Sequence, residues 1–307
     1  MENKVLVFGH KNPDTDTICS SIVMSNLENK MGTNAEAVRL GEINKETEYV
    51  LNYFGIEKPR LIEKVEEAQE VILVDHNEFS QSANGIENAK ILKVIDHHRI
   101  ANFETSDPLF YYAKPVGCTG TILYEIAKLN GIEINEKLAG LMMSAIVSDT
   151  LLFKSPTCTI ADENAARELA KIANVNIEEY GLGMLKAGTD LDDFSEEQLI
   201  NLDAKTGEKN GEKFVIAQVN TVSIEDVLKR QDLLEDAINK EIESKNLCLF
   251  VFAITDILNS NSEIIALGNK TDVVEKTFNK KLENNRAFLE GVVSRKKQIL
   301  PNIDRNI

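Results

Sequence analysis

The chain has 307 residues, 43% of them apolar, which is enough to bury two adjacent cores, so two domains are expected. Its 50 acidic residues against 34 Lys and Arg leave a net charge of -16, a field that repels polyanions and excludes long RNA or DNA as the default partner. Cys19, Cys118, Cys158 and Cys248 form no CxxC pair, Met1 to Phe8 lacks the pattern of a signal peptide, and no stretch reaches the ~18 apolar residues of a membrane span. The expectation is a soluble cytoplasmic protein with free thiols and no membrane partner.

In chain order, Val5-Leu6-Val7-Phe8 ends in Gly9 and suits a buried parallel strand. A helix from near Thr17 to Lys30 is expected next, stopped by Gly32. The alternation then repeats, with a strand Ala35 to Leu40, a helix Lys45 to Phe54, and strands Val71 to Val74 and Ile91 to Ile95. This implies a doubly wound α/β domain with a mainly parallel sheet. Covering helices follow: one from Thr121 through Leu129, then Leu138 to Val147, Glu163 to Ile172 and Ile177 to Leu185. Lys186 to Phe194, small and acidic, reads as the interdomain linker. Beyond it the pattern predicts a strand Phe214 to Val219, one long helix Ile224 to about Glu243, strands Leu247 to Ile254 and Ile264 to Leu267, and a short helix Val273 to Phe278. This second, smaller domain is α/β or α+β.

The four histidines, His10, His76, His97 and His98, all lie just past predicted strands. In doubly wound sheets such exits converge on one crevice. The first is Gly9-His10-Lys11-Asn12-Pro13-Asp14-Thr15-Asp16-Thr17, a tight loop able to turn an imidazole and two carboxylates toward a cation. The others are Asp75-His76-Asn77-Glu78 and Asp96-His97-His98-Arg99. One such loop would serve equally well as a turn, whereas three at strand ends point to a metal. Mixed His and carboxylate donors select a divalent transition ion such as Mn, Fe, Co or Zn. So many carboxylates would repel each other without cations, and two nearby metals would need a shared ligand such as a bridging aspartate, an arrangement suited to phosphoryl chemistry. Asp149 closes an apolar helix, where the dipole disfavours an anion and a compensating cation is wanted. Gly117-Cys118-Thr119-Gly120-Thr121 lacks the Walker spacing and Lys, and reads as a turn with a helix N-cap at Thr119 or Thr121.

Taken together, Gly9 to Asp16, Val74-Asp75-His76-Asn77, Asp96-His97-His98, Ser148-Asp149-Thr150 and Ser294-Arg295-Lys296-Lys297-Gln298 resemble the DHH phosphoesterases, and within them the family II inorganic pyrophosphatases. The resemblance spans essentially the whole chain. It implies a metal-binding catalytic domain over residues 1–187, a linker over 188–195 and a substrate-binding domain over 196–307. It also implies two Mn2+ per chain, with Co2+ as an alternative and Mg2+ entering with the substrate. One ion would take His10, Asp14 and Asp75, the other Asp16, Asp75, His97 and Asp149, with Asp75 bridging. His98 would stand beside the pyrophosphate, and Lys205, Arg295 and Lys296 would grip its phosphates. A homodimer through the first domain is implied as well.

The expected reaction is hydrolysis by a metal-bridging hydroxide, without a covalent intermediate. His76 and Asn77 are expected to orient Asp75 and its neighbours, and Arg99 to pair with a nearby acid. Nucleotide-cleaving relatives of the superfamily carry a glycine-rich GGGH-like motif, and this chain has no Gly-Gly pair and no histidine after His98. An exopolyphosphatase, which shares the metal site, or another DHH-type phosphoesterase is the alternative reading.

Overall fold

Why the first half folds as a doubly wound sheet is plain in its strands, which are short, apolar and covered on both faces. The structure, a computed structural model, describes residues 4–307, so Met1 to Asn3 of the segment read for a leader lie outside it. Strand β1 (Val5–Phe8) leads into α1 (Thr15–Lys30), β2 (Ala35–Arg39), α2 (Lys45–Tyr53), the two-residue β3 (Arg60–Leu61), β4 (Glu70–Val74), β5 (Lys90–Asp96) and β6 (Phe110–Ala113). Helices α3 (Thr119–Leu129), α4 (Glu136–Asp149), α5 (Ile160–Ala173) and α6 (Ile177–Gly188) complete the first compact unit, which ends at Gly188. The six strands are all parallel in the order β3-β2-β1-β4-β5-β6, so the order reverses between β1 and β4.

Helix α1 starts at Thr15, two residues before the expected Thr17, because the Asp14 carboxylate caps it by accepting from Thr17 N at 2.9 Å. It is buried on nearly every side, with Ile18, Val23 and Leu27 at 0% exposure. Each such side chain contributes about 1.5–3 kcal/mol by leaving water. Its serines stay satisfied by bonding back to the helix: Ser21 Oγ donates to Ile18 O at 2.8 Å and Ser25 Oγ to Ile22 O at 2.9 Å.

The second unit runs from Thr189 to Ile307. It contains α7 (Glu196–Leu199), β7 (Ala204–Lys209), β8 (Glu212–Thr221), α8 (Ile224–Leu228), α9 (Gln231–Lys245), β9 (Leu247–Asp256), β10 (Asn261–Gly268), α10 (Thr271–Phe278), β11 (Arg286–Glu290), a π-helical turn Arg295–Ile299 and α11 (Leu300–Asn306). Its five-stranded sheet, β11-β10-β9-β8-β7, is mixed: β8 and β9 run parallel and the other pairs antiparallel. Leu191 and Phe194, in the stretch read as linker, pack against this unit's core.

The single long helix expected from Ile224 is two. Arg230 leaves helical geometry at φ -103°, ψ 13°, and its guanidinium donates to Leu191 O at 3.2 Å and Phe194 O at 2.6 Å while pairing with Glu196. Three charge-assisted bonds at one side chain outweigh the helical bonds lost at the break. No helix among the described residues is long and apolar enough to cross a membrane.

Candidate metal centre

Strand register brings the strand exits level. Phe8 pairs with Leu73, so His10 and Asp75, each two residues further on, emerge side by side. Val74 pairs with Ile95 and Asp75 N donates to Ile95 O at 3.0 Å, which sets His97 next to Asp75. This is the crevice outside the carboxyl ends of the strands, at the point where the order reverses.

Asp75 is the centre of the cluster and is buried. Its Oδ2 lies 3.5 Å from His10 Nε2, which is in turn 3.4 Å from Asp14 Oδ2. Its Oδ1 lies 3.3 Å from His97 Nε2, which also stands 4.0 Å from Asp16 and 3.7 Å from Asp149. The two oxygens of one carboxylate thus face two separate donor groups. Both are further held by hydroxyls, Thr17 Oγ1 at 2.6 Å on Oδ2 and Thr119 Oγ1 at 3.2 Å on Oδ1. The backbone at Asp75 is left-handed, φ 58°, a conformation Asp tolerates better than most side chains.

Asp16 is fixed from three sides, accepting from Thr119 N at 2.7 Å, Gly120 N at 3.2 Å and Ser20 Oγ at 2.6 Å. Both amides belong to the α3 N-terminus, a natural anion site, and Gly120 N is shared with Cys118 Sγ at 3.2 Å. Helix α3 begins at Thr119 with Cys118 as its N-cap, not Thr119 or Thr121 as expected, because the Thr119 amide and hydroxyl are turned to the aspartates. Buried Asp162 anchors the loop by accepting from Gly117 N at 2.8 Å and Thr121 Oγ1 at 2.6 Å. Asp149 ends α4, and Leu151, Leu152 and Phe153 directly after it have φ of 48°, 52° and 67°. Three successive left-handed residues without glycine cost about 1–2 kcal/mol each. That strain lies where the chain must turn away and leave a carboxylate at the crevice.

The electrostatics match donors that want cations. Burial by itself would lower the His10 imidazole, yet Asp14 and Asp75 raise it to about 10. His97 is likewise lowered by burial but raised to about 9 by Asp75 and Asp16. Burial pushes Asp75 upward, and the His10 and His97 hydrogen bonds outweigh this and hold it well below the usual carboxylate range. Burial and then the charge of Asp75 raise Asp16 to about 7. Burial followed by the charges of Asp16, Asp75 and Asp14 holds Asp149 well above its ordinary value. The raised imidazoles and the raised Asp16 and Asp149 mark a repulsion that divalent cations would relieve, and His10, Asp14 and Asp75 stand close enough together to hold one ion.

His98 lines the same cavity, about 450 Å³, with Asp14, Asp75, His97 and Asp149. Its Nδ1 is 3.0 Å from Asp96 Oδ1 and 3.7 Å from Asp75 Oδ1, and the Asp96 bond raises its pKa. Asn77 orients Asp96, at the strand end next to Asp75, donating at 2.6 Å to Asp96 Oδ2. His76 does not orient Asp75, since its Nδ1 meets Val74 O at 2.9 Å and its ring packs near Phe8. Arg99 pairs with Glu78 at 3.3 Å.

Lys205, Arg295 and Lys296 belong to the second unit. Lys205 is an exposed residue of β7, and Lys296 is exposed on the π-helical turn, which Ser294 caps. The Arg295 guanidinium forks onto Asp203 at 2.7 and 3.1 Å, and Arg295 N donates to Gln218 Oε1 at 2.8 Å.

Sequence reasoning did not assign Thr17, Ser20, Thr119 or Asp96. The i, i+4 spacing of Ser20 from Asp16 on one helix was the available signal for Ser20. Thr17 also explains Gly9, where a Cβ would lie 2.5 Å from Thr17 Cγ2 and 2.9 Å from its Oγ1. Gly9→Ala is expected to push Thr17 off Asp75 and weaken Mn2+ retention about 10–100-fold, the usual cost of losing a hydrogen bond behind a ligand. Equilibrium dialysis checks this, and unchanged retention would contradict the account.

A doubly wound domain with His/Asp clusters at its switch point, followed by a separate mixed-sheet unit, defines a DHH-type phosphoesterase. Residues 4–146 match the DHH family N-terminal domain and residues 182–306 the DHHA2 domain. The chain belongs to the manganese-dependent, family II inorganic pyrophosphatases, a family of hydrolases. It is 60% identical over 299 residues to the manganese-dependent inorganic pyrophosphatase of Bacillus subtilis (strain 168), covering 97% of each chain. A Methanococcus jannaschii crystal structure assigned to the family II inorganic pyrophosphatases matches at 43% identity, a TM-score of 0.62 and 98% of each chain. An exopolyphosphatase-related protein of Bacteroides fragilis, 13% identical with a TM-score of 0.51 over 99% of this chain and 92% of its own, shares the fold.

Proposed function

We propose that this chain hydrolyses inorganic pyrophosphate to two phosphates at a two-metal centre in its first unit, with His10, Asp14 and Asp75 holding one ion and Asp16, Asp75, His97 and Asp149 the other. The division of Asp75, with Oδ2 toward His10 and Oδ1 toward His97, is the observation that carries this reading. Bound there, the ion pair would supply Lewis acidity and a water acid enough to act as a nucleophile near neutral pH. Two Mn2+ per chain agree with the mixed N/O donors, which also suit Co2+, while Mg2+ is assigned to the incoming substrate.

His98 is the residue to meet the pyrophosphate. Burial raises the Asp96 carboxyl, but hydrogen bonds from His98 and Asn77 outweigh it, so Asp96 stays ionised and keeps a proton on His98 Nδ1. The imidazole can then donate to a phosphate oxygen and take up part of its developing charge. Lys205, Arg295 and Lys296 are the phosphate-gripping cations in this reading. Arg295 already holds a carboxylate in the forked geometry that a phosphate would use. A homodimer through the first unit fits its edge strand β6, whose outer side pairs with no other strand of the sheet and whose Phe110 is exposed. A cytoplasmic location fits the free cysteines Cys19, Cys118, Cys158 and Cys248.

Exopolyphosphatase activity is the alternative, since it would use the same donors. Phosphate release after metal stripping and readdition of Mn, Co, Zn or Mg is expected to be fastest with Mn or Co and to favour pyrophosphate over tripolyphosphate. Equal or faster turnover of tripolyphosphate would move the assignment to an exopolyphosphatase.

A further inference from the structure

One acid beside the metal cluster belongs to neither donor group. Glu46, in the first turn of α2, uses a single oxygen, Oε1, to accept from Thr15 Oγ1 at 2.6 Å and from Ser148 Oγ. Thr15 lies between Asp14 and Asp16 at the start of α1, and Ser148 immediately precedes Asp149 at the end of α4. One carboxylate oxygen therefore ties together two helix ends, 133 positions apart in sequence (148 - 15), where each delivers its metal-binding acids. Glu46 fits only because Gly188 lacks a side chain, since a Cβ there would come within 2.9 Å of both its Cβ and its Oε2.

The ties to the other aspartates do not depend on Glu46. Asp14 is set by Thr17 N, and Asp16 by Thr119 N, Gly120 N and Ser20 Oγ. Asp149 instead leaves the α4 terminus ahead of a strained left-handed turn, with its neighbour Ser148 tied to Glu46. Loss of the tie thus bears mainly on Asp149.

We propose that Glu46 is a positioning residue that sets Asp149 against Asp16 and His97 and thereby determines how tightly the second ion is held. The inference rests on the two-metal reading. The first donor group, His10, Asp14 and Asp75, has no member on α4, and its Asp14 is held by Thr17 N, so its ion depends less on the tie.

Mn2+ titrations of the metal-stripped full chain, followed by electron paramagnetic resonance of free Mn2+, test this without reference to turnover. Glu46→Ala is expected to weaken the second ion about 10–100-fold and leave the first unchanged. Glu46→Gln is expected to keep both, since the amide oxygen can accept from both hydroxyls. Gly188→Ala, which displaces the carboxylate without deleting it, should repeat the selective loss, and it carries the test if Glu46→Ala does not fold. Equal weakening of both ions, no weakening, or a Glu46→Gln protein as impaired as Glu46→Ala would overturn the proposal. An unsubstituted chain that binds fewer than two ions would overturn the two-metal reading and this inference with it. Two ions bound with Glu46→Ala unaltered would overturn the positioning role alone.

Discussion

Asp75→Asn is expected to abolish pyrophosphate hydrolysis and to release bound Mn2+ from both donor groups, a loss beyond the ~100-fold typical of removing an outer hydrogen-bond partner. The substitution is chosen because Asn tolerates the left-handed backbone at φ 58°. Asp75→Ala would add about 1–2 kcal/mol of backbone strain to the chemical loss. In the native protein Oδ2 serves His10 and Thr17, and Oδ1 serves His97 and Thr119. An amide turns one of these acceptors into an NH2 donor facing other donors and removes the charge that two imidazoles share. His10 and His97 should therefore lose much of their raised basicity in the metal-free variant, which NMR titration of the ring protons reads directly. A variant that kept two Mn2+ through gel filtration and turned over pyrophosphate at the parent rate would refute the bridging role of Asp75.

The parts of this site legible in the sequence are those held by strand exits. Short apolar runs ending at Phe8, Val74 and Ile95 mark β1, β4 and β5, and parallel register then places His10, Asp75 and His97 together almost automatically. Asp149 was legible only as an acid at the wrong end of a helix. What escaped was whatever depends on contacts between distant segments. Thr119 and Gly120 grip Asp16 across more than a hundred positions, and nothing in Gly117 to Thr121 distinguishes that loop from an ordinary turn until α3 is docked.

The missed strands share a similar cause. Strand β7 reads Ala-Lys-Thr-Gly-Glu-Lys, without apolar alternation, and becomes a strand only as the antiparallel edge partner of β8. Strand β6 is short, half-exposed and likewise an edge. The break between α8 and α9 was hidden for another reason: the apolar spacing continues through it, and only the carbonyls of Leu191 and Phe194 call Arg230 out of the helix.

Stripping the metals should make stability fall as pH rises from about neutral to 10, and readding Mn2+ should flatten that dependence. His10 and His97 have ordinary values of 6.5 and folded values of about 10 and about 9. A group raised on folding stabilises fully below its unfolded value and loses that contribution as pH climbs through its folded value. Their window is therefore about pH 6.5 to 10. Asp16, at 3.8 ordinarily and about 7 when folded, acts in the same direction over a lower window that closes near neutrality. Asp75 runs the other way: its lowered value stabilises above the ordinary 3.8 and is lost only in acid, so it does not offset the alkaline decline. Each kcal/mol lost in that range lowers the melting temperature by about 2–4 °C for units of this size. On the proposed two-metal reading divalent ions replace the protons on these donors, so loading Mn2+ at pH 7 should release protons. Loading should also stabilise by about 2.7 kcal/mol per site at a hundredfold excess over Kd. Calorimetric titration in two buffers of different ionisation enthalpy measures the protons, and melting curves at pH 6.5, 8 and 9.5 measure the stability. A metal-free protein that grew more stable across that range, or Mn2+ binding without proton release, would show that the His10 and His97 clusters are not where the ions go.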